Sequence, residues 1–226
     1  MPSPIKLEFS EKYDDNHAHR YLLKHQDNLA RRWSHKRDEQ LARAALAMAG
    51  EPGLVLDLPC GAGRFWPLLA EKPNRVIIGA DNSASMLKVA TVAQPPEVVK
   101  RVRPLQTSAF DIDLPDNSVD SIFCMRLMHH IGDPAHRMTI LREFQRVTRD
   151  SVIISLWVDG NFKAWKRKRA EVRRRKKGEQ EGYQNRFVLP AATVEAEFEQ
   201  AGFRVQESLD FMPLYAMWRV YVLRKR

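Results

Sequence analysis

The sequence predicts an α/β fold: a largely parallel sheet with helices on both faces. Three observations carry this expectation. Short, continuous apolar runs bounded by Gly and Pro mark fully buried strands. Helix-like stretches separate these runs at the spacing of βαβ units. A glycine-rich turn follows the first run and leads into a helix, the place where open α/β sheets bind ligands.

The elements follow in chain order. Residues 10–49 are rich in charge at first and end in the run Leu41-Ala42-Arg43-Ala44-Ala45-Leu46-Ala47-Met48-Ala49. Ala and Leu favour helix, and Gly50 with Pro52 supplies the stop, so two or three helices precede the first strand. The strands are 54–58, 75–80, a weaker 102–105, 121–125 and 151–157, with helices over 63–71, 83–93 and 137–148 between them. A helix over 190–201 shows Ala191, Val194, Phe198 and Ala201 on one stripe, closed by Gly202. Strands over 203–209 and 216–223, joined through Met212-Pro213, complete the set.

Composition bounds the class. The 226 residues make one domain with an elaboration or two small ones, and 44% hydrophobic with 29% charged residues exclude wholesale disorder. Two Cys, Cys60 and Cys124, with no CxxC pair, predict a reduced, cytoplasmic setting. No apolar run approaches the ~18–20 residues of a membrane span, and the start lacks a signal-peptide pattern.

The chemistry begins at Leu56-Asp57-Leu58-Pro59-Cys60-Gly61-Ala62-Gly63-Arg64-Phe65. A dinucleotide loop needs a third Gly, absent here, and Asp57 at the strand end would repel a pyrophosphate. That disfavours a dehydrogenase. A cofactor carrying a cation fits better, and S-adenosylmethionine has a sulfonium, an α-ammonium and no phosphate. Asp81, at the end of the second strand in Gly79-Ala80-Asp81-Asn82-Ser83, is placed to accept from both ribose hydroxyls. Ser108-Ala109-Phe110-Asp111, after the third strand, would lie beside the adenine.

At these residues the sequence resembles the class I S-adenosylmethionine-dependent methyltransferases, in particular the ubiquinone and menaquinone biosynthesis branch. Besides the glycine loop, the matching pieces are Gly79–Leu87, Leu114-Pro115-Asp116-Asn117-Ser118-Val119-Asp120, His129-His130-Ile131-Gly132-Asp133-Pro134 and Leu141-Arg142-Glu143-Phe144-Gln145-Arg146-Val147. Their order and spacing make the likeness specific. It implies a Rossmann-like seven-stranded methyltransferase sheet, mostly parallel with an antiparallel last strand. It also implies S-adenosylhomocysteine as product. By the same resemblance Asp57, Pro59, Cys60, Gly61 and Gly63 hold the methionine part, and Asp81 and Asn82 the ribose. Ser108, Ala109 and Phe110 flank the adenine, while Met125 and Arg126 line the methyl-transfer face. Two positions depart from the family pattern: Pro59 stands for the first loop Gly, removing a backbone donor, and Ser108 for the acid that contacts the adenine amino group.

Other readings are weighed at the same residues. His129-His130 either packs and caps a helix start, or His130 and Arg126 orient the acceptor or take its proton. Adjacent His residues on a helix diverge, so no metal site is expected. Cys60 is wrongly placed for a covalent cysteine mechanism, and Cys124 reads as a small core residue. Cys124-Met125-Arg126-Leu127 replaces the Asn/Asp-Pro-Pro-Tyr/Phe motif of nucleobase and glutamine amino-group methylation. Tyr13, Tyr21 and Arg31-Arg32-Trp33 are either lid residues or a solvated face, and Trp218 and Tyr221 pack on the core.

The formal charge of +9 has a single source. Residues 163–177 hold ten Lys/Arg and one Glu, and taking them out of 37 Lys+Arg and 28 Asp+Glu leaves 27 of each. Phe162, Trp165 and Val172 share a stripe, which predicts a basic amphipathic helix. It follows the fifth strand's C-terminal end, so it hangs over the acceptor side, with Lys163, Trp165, Arg169 and Arg173 as contacts. The expected acceptor is a small or lipid-linked anion. The competing readings of the arm are a merely solvated helix, a membrane surface, or RNA, which would make the chain an RNA methyltransferase with 163–177 as its phosphate clamp. A non-catalytic binding protein retaining the fold is the reading from another class. The expected organisation is a helical lid over 1–50, an α/β core over 51–160, a basic insertion over 161–186, and a helix with two strands over 187–226.

Overall fold

The computed structural model describes residues 29–176 and 186–226; Tyr13, Tyr21 and Lys177 lie outside them. Helix α1 (Leu29–Met48) buries Leu41, Ala42, Ala45 and Leu46 and stops where Gly50 takes φ +82°, with the Glu51 N–H closing on the Leu46 carbonyl. The chain continues through β1 (Leu54–Asp57), α2 (Trp66–Leu69), β2 (Val76–Asp81), α3 (Ala84–Ala93), α4 (Pro96–Val99) and β3 (Val102–Gln106). After β4 (Val119–Cys124) comes a 3-10 turn at Met128–His130, then α5 (Pro134–Val147), β5 (Thr148–Trp157) and α6 (Phe162–Lys176). Helix α7 (Ala191–Gln200) precedes the pair β6 (Phe203–Asp210) and β7 (Trp218–Lys225).

One seven-stranded sheet runs β3-β2-β1-β4-β5-β7-β6. Strands β1 to β5 pair in parallel, and β7 is antiparallel to both β5 and β6. This is the predicted sheet, and the reversal falls where expected. Residues alternate between two cores, as a doubly covered sheet requires. Ile122, Val152 and Ile154 pack with α5 and α7, while Phe123, Ile153 and Val222 pack with α1 and α2. Pro104, which cannot donate to a ladder, sits on the edge strand β3.

Local signals set the helix starts. Ser83 caps α3 by accepting from the Met86 N–H, and Asp133 caps α5 by accepting from the Ala135 N–H ahead of Pro134. Two expectations are corrected. The helix foreseen over 63–71 is a single turn, because Gly61 and Gly63 hold left-handed φ of +54° and +68° and helix cannot begin before Trp66. Helix α5 starts three residues earlier than foreseen, at its Pro134. Helix α4 was not foreseen.

Candidate active site

The turn after β1 is fastened to the end of β2. The Cys60 N–H donates to the Ala80 carbonyl (2.7 Å), and Asp81 accepts from the Gly61 N–H and the Ser83 N–H, each at 2.9 Å. Burial pushes the Asp81 carboxyl up, and the Ser83, Gly61 and Asn82 amides pull it part of the way back. A carboxylate offers about four acceptor sites, so Asp81 can still take a further donor. Asn82 beside it is exposed.

Asp57 differs. It is 1% exposed, and neither carboxylate oxygen has a hydrogen-bond partner. Burial raises its carboxyl well above the ordinary range, the Asp81 charge raises it further, and the nearby Trp66 indole offsets this slightly. Trp66 is fully buried, and its ring occupies space left by two glycines: a Cβ on Gly79 would lie 2.5 Å from it, and one on Gly63 2.8 Å. Its Nε1 also lacks a partner. Buried polar groups are normally satisfied, so an orphan carboxylate at a strand end points to a cationic ligand. Cys60, buried beside both acids, has its thiol pushed up by burial, which leaves it no thiolate chemistry. Cys124 is buried in the core and its thiol is pushed up likewise.

Beyond β3, Ser108, Ala109 and Phe110 form a half-buried turn. The Ser108 hydroxyl accepts from the Phe110 N–H (3.2 Å), and the Phe110 ring meets His136 edge-on at 5.7 Å. Pro59 follows the end of β1, and Met125, 5% exposed, the end of the neighbouring β4.

At the exit of β4, Arg126 adopts φ +67°, rare outside glycine, with its N–H held by the Ser155 hydroxyl (2.8 Å). Its guanidinium lies 4.7 Å over the Trp218 ring and pairs with Asp38 of α1. Asp38 also takes Arg64 of the glycine turn at 2.7 Å, and Arg64 in turn reaches His35 Nδ1 at 3.0 Å. His129 is buried against Trp157 (5.0 Å) and Trp218 (4.7 Å). Burial, with the charges of His130, Arg126 and Arg186 behind it, pushes its imidazole down to about 2, so His129 is a neutral packing residue. The expectation that the two histidines diverge is corrected: on a tight 3-10 turn their rings sit 4.0 Å apart. His130 is half-buried at the end of the same turn.

The basic helix α6 starts at this same edge. Arg167 lies 5.5 Å over the Trp157 ring and donates to the Arg186 carbonyl at 2.9 Å. The returning chain docks through the Phe187 N–H on the His129 carbonyl (2.7 Å), its ring filling the space above Gly132. Lys163, Trp165, Arg169 and Arg173 are exposed on this arm. Sequence reasoning missed Asp38, His35 and Trp157 and treated Trp218 as core only. Among the described residues no group of three His, Cys, Asp or Glu could hold a metal ion, and no helix is long and apolar enough to cross a membrane.

Residues 55–151 match the family model described as "Methyltransferase domain". A trans-aconitate 2-methyltransferase from Azoarcus sp. (strain BH72) is 31% identical over 117 residues, covering 50% of this chain and 41% of that protein. The chain therefore spans about two-fifths of that relative's length. Magnesium protoporphyrin IX methyltransferase from Synechocystis PCC 6803, solved with bound SAH, superposes with TM-score 0.70 at 16% identity over 89% of both chains. A (4+2)-cyclase superposes with TM-score 0.64 at 15% identity, covering 83% of this chain and 80% of its own, so the fold alone does not name the reaction. Residues 55–151 thus match the methyltransferase domain model, and the chain has the fold of the class I S-adenosylmethionine-dependent methyltransferases.

Proposed function

We propose that the protein is an S-adenosylmethionine-dependent methyltransferase whose acceptor is a small or lipid-linked anion. The orphaned, buried Asp57 carboxylate carries the reading, since a cationic cofactor group is the partner it lacks. The residues around it fit the cofactor. Asp57 would face the α-ammonium, the backbone of Pro59, Cys60, Gly61 and Gly63 the methionine part, and Asp81 with Asn82 the ribose. Ser108, Ala109 and Phe110 would border the adenine. When bound, the sulfonium supplies an electrophilic methyl to a nucleophilic oxygen, carbon or nitrogen.

This chain's own contribution is positioning, which suffices for much of such a barrier. Met125 closes the cofactor side of the acceptor space. Arg126, fixed by Ser155, Trp218 and Asp38, presents a preorganised cation to an anionic acceptor. His130, its ring 4.0 Å from His129, is the group assigned to take a proton, while His129 stays neutral. Helix α1 is the lid over the glycine turn, and the insertion α6 overhangs the acceptor edge.

The test is incubation of protein and methyl-labelled cofactor with cell extract, followed by mass spectrometry of the products. A labelled small or lipid-linked anion is expected, and Arg126→Gln should lower its yield while cofactor binding persists. Label confined to RNA overturns the acceptor class. No label in any fraction overturns the enzyme reading.

A further inference from the structure

Helix α6 turns its aromatic stripe away from the body of the protein. A surface helix of a soluble domain turns its apolar stripe to the core. Here Phe162, Trp165 and Val172 recur at helical spacing yet are 49%, 52% and 53% exposed, whereas Ala164, at 2%, is the residue turned to the body. Arg167 and Glu171, which pair at 3.0 Å, flank Ala164 on that inner side. The inner side is Ala164 with the half-buried Arg167–Glu171 pair, and the aromatic stripe faces outward among exposed cations.

The tip of the β6–β7 hairpin extends the same outer face. The Phe162 N–H donates to the Leu214 carbonyl (2.9 Å) and the Lys163 N–H to the Tyr215 carbonyl (3.1 Å). The Phe162 ring stacks on Tyr215 at 5.9 Å and 11°, and Leu214 stands 83% exposed beside them. Cations frame the patch: Lys163 lies 5.1 Å over Tyr215 and Arg169 4.7 Å over Trp165. Lys166 and Arg173 are exposed and have no acidic partner among the described residues. Between Trp165 and Arg173 the helix carries an open groove that Lys168, Arg169 and Val172 also line.

We propose that this face docks the protein on an anionic bilayer surface. Charge complementarity commits the occupant, because the arm holds ten cations in a chain otherwise balanced. The apolar groups choose lipid over RNA. Aliphatic Leu214 and Val172 have no use for bases but can enter the headgroup region. The rings are not free stacking platforms: Phe162 is covered by Tyr215 and by Trp165 at 5.8 Å, and Trp165 carries Arg169. Ring edges and aliphatic ends are what point outward, the arrangement suited to an interface where one end is apolar and the other wet. The docking face rests on its own geometry. Its use in presenting a lipid-linked acceptor to Arg126 rests on the function proposed above.

The experiment is flotation of the full chain with vesicles of phosphatidylcholine alone, or with about one-third phosphatidylglycerol. Binding to the anionic vesicles only is expected, weakened but not abolished by salt. Phe162→Ser with Trp165→Ser should lower that binding by about tenfold, and Lys166→Glu with Arg173→Glu should lower it similarly. All four side chains are exposed, so calorimetry with S-adenosylmethionine should be unchanged in both variants and serves as the check on folding. Equal binding to neutral and anionic vesicles overturns the proposal, as does an aromatic variant that floats like the parent. RNA that displaces the protein and binds the aromatic variant equally well reassigns the face to nucleic acid. Absent flotation with intact cofactor binding refutes the docking face alone; flotation without cofactor binding refutes the function alone.

Discussion

Asp38 in the middle of α1 and Arg126 at the exit of β4 form an ion pair across 88 positions of the chain, with Asp38 only 5% exposed. Because Asp38 also holds Arg64 of the glycine turn, one carboxylate ties α1 to both that turn and the exit of β4. Opening α1 therefore requires parting two guanidinium contacts together.

Asp38→Asn removes the carboxylate charge that both Arg64 and Arg126 contact. Breaking such a pair from one side costs about 3 kcal/mol, far more than the net worth of the pair. A urea unfolding curve should show a lowered midpoint with an unchanged slope. An unaltered midpoint would mean that α1 is held by its apolar stripe alone.

Gly79→Ala drives a methyl against the Trp66 ring, 2.5 Å from its Cζ2. Overpacking of this kind costs about 1–3 kcal/mol. Combining it with Trp66→Phe should recover part of the loss, giving a non-additive cycle between two contacting residues. Additive effects would place the strain elsewhere.

Asp57 and His129 give opposite pH dependences. The Asp57 carboxyl is raised, so its contribution is fully present below the ordinary carboxylate value and is lost as pH rises through the folded one. Asp57→Asn should thus raise the melting temperature of the ligand-free protein at neutral pH while weakening cofactor binding. A variant that melts lower and binds as before contradicts the orphan-carboxylate account.

His129 lies at about 2 in the folded chain against an ordinary 6.5, so between these values only the unfolded chain takes the proton. Stability is therefore lost as pH falls below 6.5. His129→Phe keeps an aromatic against Trp157 and should flatten the fall in melting temperature on acidification from about pH 7 to 5. Identical slopes in parent and variant would assign acid sensitivity to other groups.

The fold was legible because the buried strands write themselves as apolar runs such as Val76–Ala80 and Val152–Leu156, and the glycine turn and Asp81 stand at fixed offsets from them. The short α2 was hidden, because Gly63 inside a helix-like stretch does not reveal its left-handed φ until the turn is seen. Asp38 was hidden more deeply. It sits between Arg37 and Glu39 in a charged helix, and only tertiary packing shows that it faces inward. Trp157 and Trp218 read as strand residues; that their rings hold His129 and Arg126 is a property of the sheet's edge, not of local sequence.

Titration calorimetry with S-adenosylmethionine, run on the parent protein and on Asp81→Asn with folding checked by thermal melting, tests the central claim most directly. One-to-one binding by the parent is expected, with the affinity reduced at least about tenfold in the variant, the scale of one charge-assisted hydrogen bond lost. A folded parent that gives no binding heat, or a variant that binds as tightly as the parent, would contradict the assignment of this turn to the cofactor.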